Sequence, residues 1–104
     1  MTTTVTVSYE SGPKFDIDYY VTKHFAIVEE KWGPLGLLSW EVLQFDEGQQ
    51  YQVQAILRWK STEAFEAASA NPVTQEVIAD VANFTTAKPI FIKGKSAGAS
   101  SAKL

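Results

Sequence analysis

Residues 37–59, LLSWEVLQFDEGQQYQVQAILRW, decide the fold. Residues 37–46 and 51–59 are rich in aliphatic and aromatic residues, and the short polar stretch EGQQ separates them, which predicts an antiparallel hairpin. The second strand of this hairpin alternates between two sets of side chains: Tyr51, Val53, Ala55, Leu57 and Trp59 on one face, and Gln52, Gln54, Ile56 and Arg58 on the other. We expect the first set to pack on helices. The second set, of mixed polarity, suits an interface with another subunit.

The remaining sequence predicts helices and strands around this hairpin. They are a strand at 2–9 (TTTVTVSY), a helix from Phe15 to about Trp32, a helix broken into the pieces 61–70 and 71–84, and a last strand at 88–95. The order β-α-β-β-α-β, with the second helix split, predicts an α+β, ferredoxin-like domain with a four-stranded antiparallel sheet.

Three residues have the side chains that favour helix N-caps. Asp16 precedes the first helix, Ser61 precedes the first piece of the split helix, and Asn71 precedes its second piece. Pro72 suits the first helical position after Asn71. We therefore expect helices to begin directly after these three residues.

Length and charge limit the kinds of protein this can be. A chain of 104 residues is one domain, which we assign to residues 1–95, with a flexible tail at 96–104 (SAGASSAKL). A net charge of −3 disfavours binding to nucleic acid and to an anionic membrane surface. The chain has no cysteine, which excludes disulfides and a thiolate nucleophile.

Two observations concern location in the cell. No apolar run approaches the length of a transmembrane helix, and residues 1–10 (MTTTVTVSYE) lack the features of a signal peptide, so a cytoplasmic protein is expected. The alternative is a peroxisomal protein, because the last three residues, Ala102-Lys103-Leu104, differ from the Ser-Lys-Leu address only at the first position.

The only histidine, His24, is the principal candidate for chemistry. At about 100° per residue it falls on the apolar face of the first helix, between Val21 and Val28, with Tyr20 at the edge of that face and Tyr19 on the opposite face. Two interpretations stay open: a hydrogen-bonded core residue, or a proton-transfer residue whose ordinary pKa suits neutral pH. If the ring is buried, it needs a hydrogen-bond partner, and we expect Tyr20 or a side chain of the second or third strand.

Other kinds of chemistry find little support in the sequence. One histidine and no cysteine make a poor zinc site, and the chain lacks the glycine-rich and nucleophile-elbow motifs of nucleotide-binding proteins and hydrolases, so we expect neither metal nor cofactor. Acidic residues are scattered and are expected mostly on solvent-facing surfaces. Tryptophans 32, 40 and 59 are core candidates, but some should line any cavity next to His24.

Four stretches resemble the EthD family: residues 15–24 (FDIDYYVTKH), 32–45 (WGPLGLLSWEVLQF), 51–68 (YQVQAILRWKSTEAFEAA) and 81–94 (VANFTTAKPIFIKG). The resemblance runs from about Thr3 to Lys95. It implies a dimeric α+β barrel, in which two ferredoxin-like sheets pair, and hence a homodimer. It also maps the family's recurring motif onto Phe15, Tyr19, Tyr20 and His24.

The chain departs from the family pattern at Ala26. Relatives often have proline two residues after the histidine, where this chain has alanine. Because proline interrupts the hydrogen bonds of a helix, its absence predicts a straighter first helix here.

The resemblance and the residues together imply a small cofactor-free enzyme, with dehydratase, isomerase or monooxygenase chemistry, acting by proton transfer on an apolar cyclic or aromatic compound. His24 would be the general acid or base, and Tyr20 would orient the substrate. Phe15, Tyr19, Val28, Trp40 and Trp59 would contact it. The alternative is a non-catalytic carrier of a small hydrophobic ligand. A cavity next to His24 would favour either function over a filled core.

Overall fold

The computed structural model describes residues 2–101. Its strands are β1 (Thr3–Glu10), β2 (Leu37–Gln44), β3 (Tyr51–Trp59) and β4 (Ile90–Gly94). The first helical region comprises α1 (Ile17–Tyr19), a π-helical segment (Tyr20–His24), α2 (Phe25–Trp32) and a 3-10 turn (Gly33–Leu35). The second comprises α3 (Thr62–Ala70), α4 (Thr74–Ala79) and a 3-10 segment (Asp80–Asn83).

The four strands form one antiparallel sheet in the order β2-β3-β1-β4. This is the ferredoxin-like α+β topology that the element order predicted. In the register, Val7 of β1 lies between Ala55 of β3 and Phe91 of β4, so these side chains share the face that the helices cover.

The alternation of β3 is confirmed. Four of its five predicted inward residues, Val53, Ala55, Leu57 and Trp59, are buried, while Tyr51 at the strand start is half-buried. The opposite face of the sheet is mixed, as expected, and carries the most exposed large apolar side chain of the described residues, Ile92, which is 63% exposed.

The start of the first helix follows the prediction, but its interior does not. The Asp16 carboxylate accepts a hydrogen bond from the Tyr19 backbone N–H at 3.1 Å, so Asp16 is the N-cap. The expectation of a straighter helix in the absence of proline missed the π-helical segment, in which hydrogen bonds run from residue i to i+5. Its wider turn shifts the residues around it relative to a regular α-helix.

The second helical region begins as predicted at Ser61, whose hydroxyl accepts from the Ala64 backbone N–H at 3.0 Å. Its second piece starts later than predicted. Asn71 does not cap a helix; its side chain accepts from the Val73 N–H in a local turn, and α4 starts only at Thr74. This difference reflects the competition that short polar side chains offer to helical hydrogen bonding.

The described residues after β4 add little to the fold. Residues 95–101 form neither helix nor strand and are exposed, and the Ala102-Lys103-Leu104 motif lies outside the described residues. Within residues 2–101, no helix combines the length and apolar character needed to cross a membrane.

Candidate active site

A cavity of about 230 Å³ lies between the helices and the sheet, next to His24. Its wall is almost entirely apolar, and the polar side chains on it are His24, Tyr20 and Tyr9. Ile78 and Phe91, which are 54% and 48% exposed, also line it and place its opening at the surface. The apolar part of the wall comprises Val7, Phe25, Val28, Trp32, Leu57, Val77, Ile78, Val81, Pro89 and Phe91. The region around His24 is therefore not a filled core.

His24 is buried, as predicted, with 4% of its surface exposed. Its hydrogen-bond partner is different from the one expected. Nδ1 lies 2.8 Å from Oδ2 of Asp80, which follows α4, rather than next to Tyr20 or a strand side chain. The other ring nitrogen, Nε2, has no hydrogen-bond partner within residues 2–101. The imidazole therefore hydrogen-bonds to a buried carboxylate through Nδ1, and its Nε2 is unpaired among the described residues.

Asp80 is the centre of a group of hydrogen bonds. It is 7% exposed, and its Oδ1 accepts from the Tyr19 hydroxyl at 2.6 Å and from the Asn83 side-chain amide at 2.9 Å. Together with the His24 bond, these contacts satisfy both carboxylate oxygens. Asp80 and Asn83 are three residues apart in a 3-10 segment, where such residues lie on one side of the helix, which explains why both reach Tyr19.

Burial and hydrogen bonding together set the protonation states of His24 and Asp80. Burial alone would raise the pKa of Asp80, but its three donors outweigh burial and lower the pKa below its ordinary value. Burial lowers the pKa of His24, and the Asp80 carboxylate opposes this only in part. Near neutral pH, His24 is therefore neutral and Asp80 is ionised. Since Asp80 can only accept, the imidazole proton is on Nδ1, and Nε2 carries a lone pair.

The two tyrosines of the cavity remain protonated. Burial raises the pKa of Tyr9 to about 12, and burial together with the neighbouring Tyr9 raises the pKa of Tyr20 far above its ordinary value. The Tyr20 ring stacks on the His24 imidazole, with centroids 5.3 Å apart and the planes inclined by 14°. Tyr20 is more buried than its predicted position at the edge of the helix face. Hydroxyl donors and a basic nitrogen thus occur together in an apolar cavity.

Of the five residues predicted to contact a ligand, the structure places Val28 on the cavity wall. Phe15, Trp40 and Trp59 pack behind the residues of the cavity wall. Phe15 packs edge-on against Tyr20 at 5.0 Å, Trp40 stacks on Phe25 at 4.2 Å, and Trp59 packs in the core against Trp32. These side chains support residues that line the cavity.

Tyr19, the fifth of these residues, contacts Asp80 instead of the cavity. Asp80 itself was overlooked because acidic residues were expected on solvent-facing surfaces. Its position was visible in the sequence, since Val77, Asp80, Val81 and Phe84 have the spacing of one helix face. A carboxylate among apolar residues at this spacing indicates a buried partner.

The described residues 2–101 contain no group of three or more histidine, cysteine, aspartate or glutamate side chains arranged to hold a metal ion. The expectation of no metal site rested on the sequence, and it stays a prediction.

Comparison with known proteins places the fold. No family model matches the chain, and no curated protein matches it significantly. Solved structures do match. An EthD-like protein from Ralstonia eutropha JMP134 has 23% identity and a TM-score of 0.81, with 96% of each chain covered. SnoaB, a cofactor-independent oxygenase from Streptomyces nogalater, has 16% identity and a TM-score of 0.67, with 94% of each chain covered.

A third match is a dimeric ferredoxin-like protein from Jannaschia sp. CCS1, with 15% identity and a TM-score of 0.67, covering 92% of this chain and all of that one. The chain therefore has the ferredoxin-like fold of EthD-like proteins, in agreement with the resemblance seen in its sequence. At these identities the matches show the fold.

Proposed function

We propose that this protein is a small cofactor-free enzyme in which Nε2 of His24 acts as a general base on a small, apolar, cyclic compound. The observation that carries the proposal is the free Nε2 of a neutral imidazole on the wall of an apolar cavity, with Nδ1 held by buried Asp80. The likeness of the fold to a cofactor-independent oxygenase supports an enzyme of this kind.

The site favours one step, removal of a proton from a neutral ligand. Nε2 takes the proton, the electron pair of the broken bond stays on the ligand, and the imidazolium forms next to the Asp80 carboxylate, which stabilises it. The Tyr20 and Tyr9 hydroxyls, which neighbour each other on the cavity wall, are the donors for the oxygen on which the ligand's negative charge develops. Return of the proton to another atom of the ligand completes an isomerisation, and loss of a leaving group completes an elimination.

The same cavity limits the substrate. About 230 Å³ exceeds the roughly 150 Å³ of an apolar cavity that holds benzene, so one substituted ring or two fused rings fit. No lysine or arginine is among the wall residues. An anionic ligand would be buried unpaired near ionised Asp80, which is costly. The substrate is therefore a neutral compound with an acidic C–H or O–H group.

The experiment uses 2-tetralone, a neutral two-ring ketone whose acidic C–H group lies between its carbonyl and its aromatic ring. In D₂O, the protein is expected to speed replacement of this hydrogen by deuterium, followed by proton NMR. His24→Gln should reduce exchange to the buffer rate while the far-ultraviolet circular dichroism stays native. Exchange that is equal with and without wild-type protein would refute the catalytic proposal.

A non-catalytic carrier of a small hydrophobic ligand is the alternative, because the apolar cavity alone would suffice for binding. Its distinguishing result is saturable binding of 2-tetralone, seen as shifts of the His24 ring resonances, with no acceleration of exchange. As a control, 2-naphthoate has two rings and a negative charge. It should not bind under either function.

We also infer that two copies pair through the sheet face opposite the helices. Ile92 is exposed there, Ile56 is half-buried on the same face, and a protein of the same fold is dimeric. Light scattering should give twice the chain mass of 11.5 kDa. Ile92→Glu should yield monomers, whereas Ile78→Glu, a matched change at an exposed apolar side chain of α4 on the helical side of the sheet, should not. A wild-type mass of 11.5 kDa at micromolar concentration would contradict the dimer.

A further inference from the structure

We propose that Tyr19 and Asn83, two side chains outside the cavity, are positioning residues. They hold the Asp80 carboxylate so that its Oδ2 accepts the hydrogen bond from Nδ1 of His24. The hydrogen-bond geometry carries this inference, and its catalytic meaning rests on the proposed function.

The π-helical segment is what brings Tyr19 and His24 to the same carboxylate. Residues five apart in an α-helix point about 140° away from each other, which is why Tyr19 was expected on the face opposite His24. In the segment Tyr20–His24 the hydrogen bonds span five residues, so one turn contains more residues than in an α-helix and side chains five apart lie closer to the same face. Both side chains therefore reach Asp80, at 2.6 and 2.8 Å.

The contacts divide the two oxygens of Asp80 between different donors. Oδ1 accepts from Tyr19 and Asn83, and Oδ2 accepts from His24. The Tyr19 and Asn83 side chains also approach each other at 3.4 Å. With Oδ1 occupied twice, rotation of the carboxylate is restrained, and part of its negative charge is neutralised on the side away from the imidazole. The restraint keeps Oδ2 on Nδ1 and so fixes the tautomer with its lone pair on Nε2, while the partial neutralisation favours the neutral imidazole.

No other ionised group acts on His24 besides Asp80, as far as the described residues show. The remaining titratable neighbours on the cavity wall are Tyr20, from the same helical region, and Tyr9, from β1, and both are neutral. A change at Tyr19 or Asn83 therefore reaches His24 through Asp80.

The test exploits the fact that the chain has a single histidine, so its ring resonances are assigned without ambiguity. Tyr19→Phe keeps the ring that stacks near Phe84 and removes only the hydroxyl. We expect the His24 pKa, followed by NMR, to rise by about 0.5, which is roughly a threefold change in proton affinity. Asn83→Ala should raise it in the same direction, and the double variant should raise it further.

Tyr51→Phe is the matched control, since Tyr51 neither lines the cavity nor is among the side chains that act on Asp80, and it should leave the His24 pKa unchanged. The acid limb of 2-tetralone exchange should move to higher pH by the same amount as the pKa in each variant. An unchanged pKa in the folded double variant would overturn the inference. Because the NMR titration needs no ligand, it reports on this inference even if wild-type protein fails to catalyse exchange.

Discussion

Filling the cavity by one methylene group distinguishes a functional cavity from close packing. Val28 is buried, lies in α2 and lines the cavity. Val28→Ile adds one methylene and keeps the branched β-carbon, so the cost of placing the residue in a helix hardly changes. Burying a methylene in space that already exists stabilises a protein by about 0.8 kcal/mol. For a domain of this size, that is a rise in melting temperature of roughly 3–6 °C.

The control makes the same change where there is no space. Val53 is as buried as Val28 but lies in β3 and does not line the cavity. There, the extra methylene must displace neighbours in a close-packed core, and Val53→Ile should destabilise the fold by about 1–3 kcal/mol. Urea denaturation followed by tryptophan fluorescence measures both variants on the same scale.

Val28→Ile and Val53→Ile should change the free energy of unfolding in opposite directions, and this difference in sign separates a cavity from close packing. Equal destabilisation by Val28→Ile and Val53→Ile would show that the region near His24 is as tightly packed as the rest of the core. It would then remove the physical basis of both the enzyme and the carrier. If the cavity exists, Val28→Ile should also weaken binding of 2-tetralone, because the added group occupies the ligand's volume.

Three further outcomes are expected. Burial lowers the pKa of His24 in the folded state, so below the unfolded-state histidine pKa of about 6.5 the unfolded chain binds more protons than the folded one. The contribution of His24 to stability should therefore be full above that pH and fall as the pH drops below it. His24→Gln should flatten this part of a stability–pH curve measured in urea. Asp80→Ala leaves the Tyr19 hydroxyl, the Asn83 amide and the His24 Nδ1–H without their buried acceptor and should cost about 1–3 kcal/mol in the same assay, whereas an unchanged midpoint would contradict the three hydrogen bonds. Gly36→Ala should lower the melting temperature, since Gly36 has φ +120° and an added Cβ would lie 3.1 Å from the Ala64 Cβ; Gly33→Ala, with φ −52° and open space, should not.

The sequence was sufficient for the fold because the fold depends on short-range patterns. The alternation in residues 51–59 assigned β3 to a buried and a mixed face, and the side chains of Asp16 and Ser61 marked two helix starts. These signals act between residues a few positions apart, so they survive without knowledge of tertiary contacts. Asn71 misled for the same reason: its local turn and a helix cap use the same side-chain oxygen.

The candidate site was harder to predict, because it depends on contacts between distant segments. His24 and Asp80 are 56 residues apart, and their contact exists only after the two helical regions pack. The expected partners were Tyr20, a neighbour within the same helix, or a side chain of the second or third strand. The π-helical segment also has no simple sequence signal, so an α-helical projection placed Tyr19 on the face opposite His24.

The charges of the site explain why this contact matters for the chemistry proposed. Before proton transfer, the site holds a neutral ligand, neutral His24 and ionised Asp80; afterwards it holds an anionic ligand, cationic His24 and the same carboxylate. The net charge is unchanged, so the apolar cavity does not have to accommodate a new unpaired charge. Asp80 stabilises only the second arrangement strongly, because only then is the imidazole charged. Asp80→Asn should therefore slow exchange of 2-tetralone more than it weakens its binding, which is the mark of a group that acts on the transition state rather than on the bound ligand.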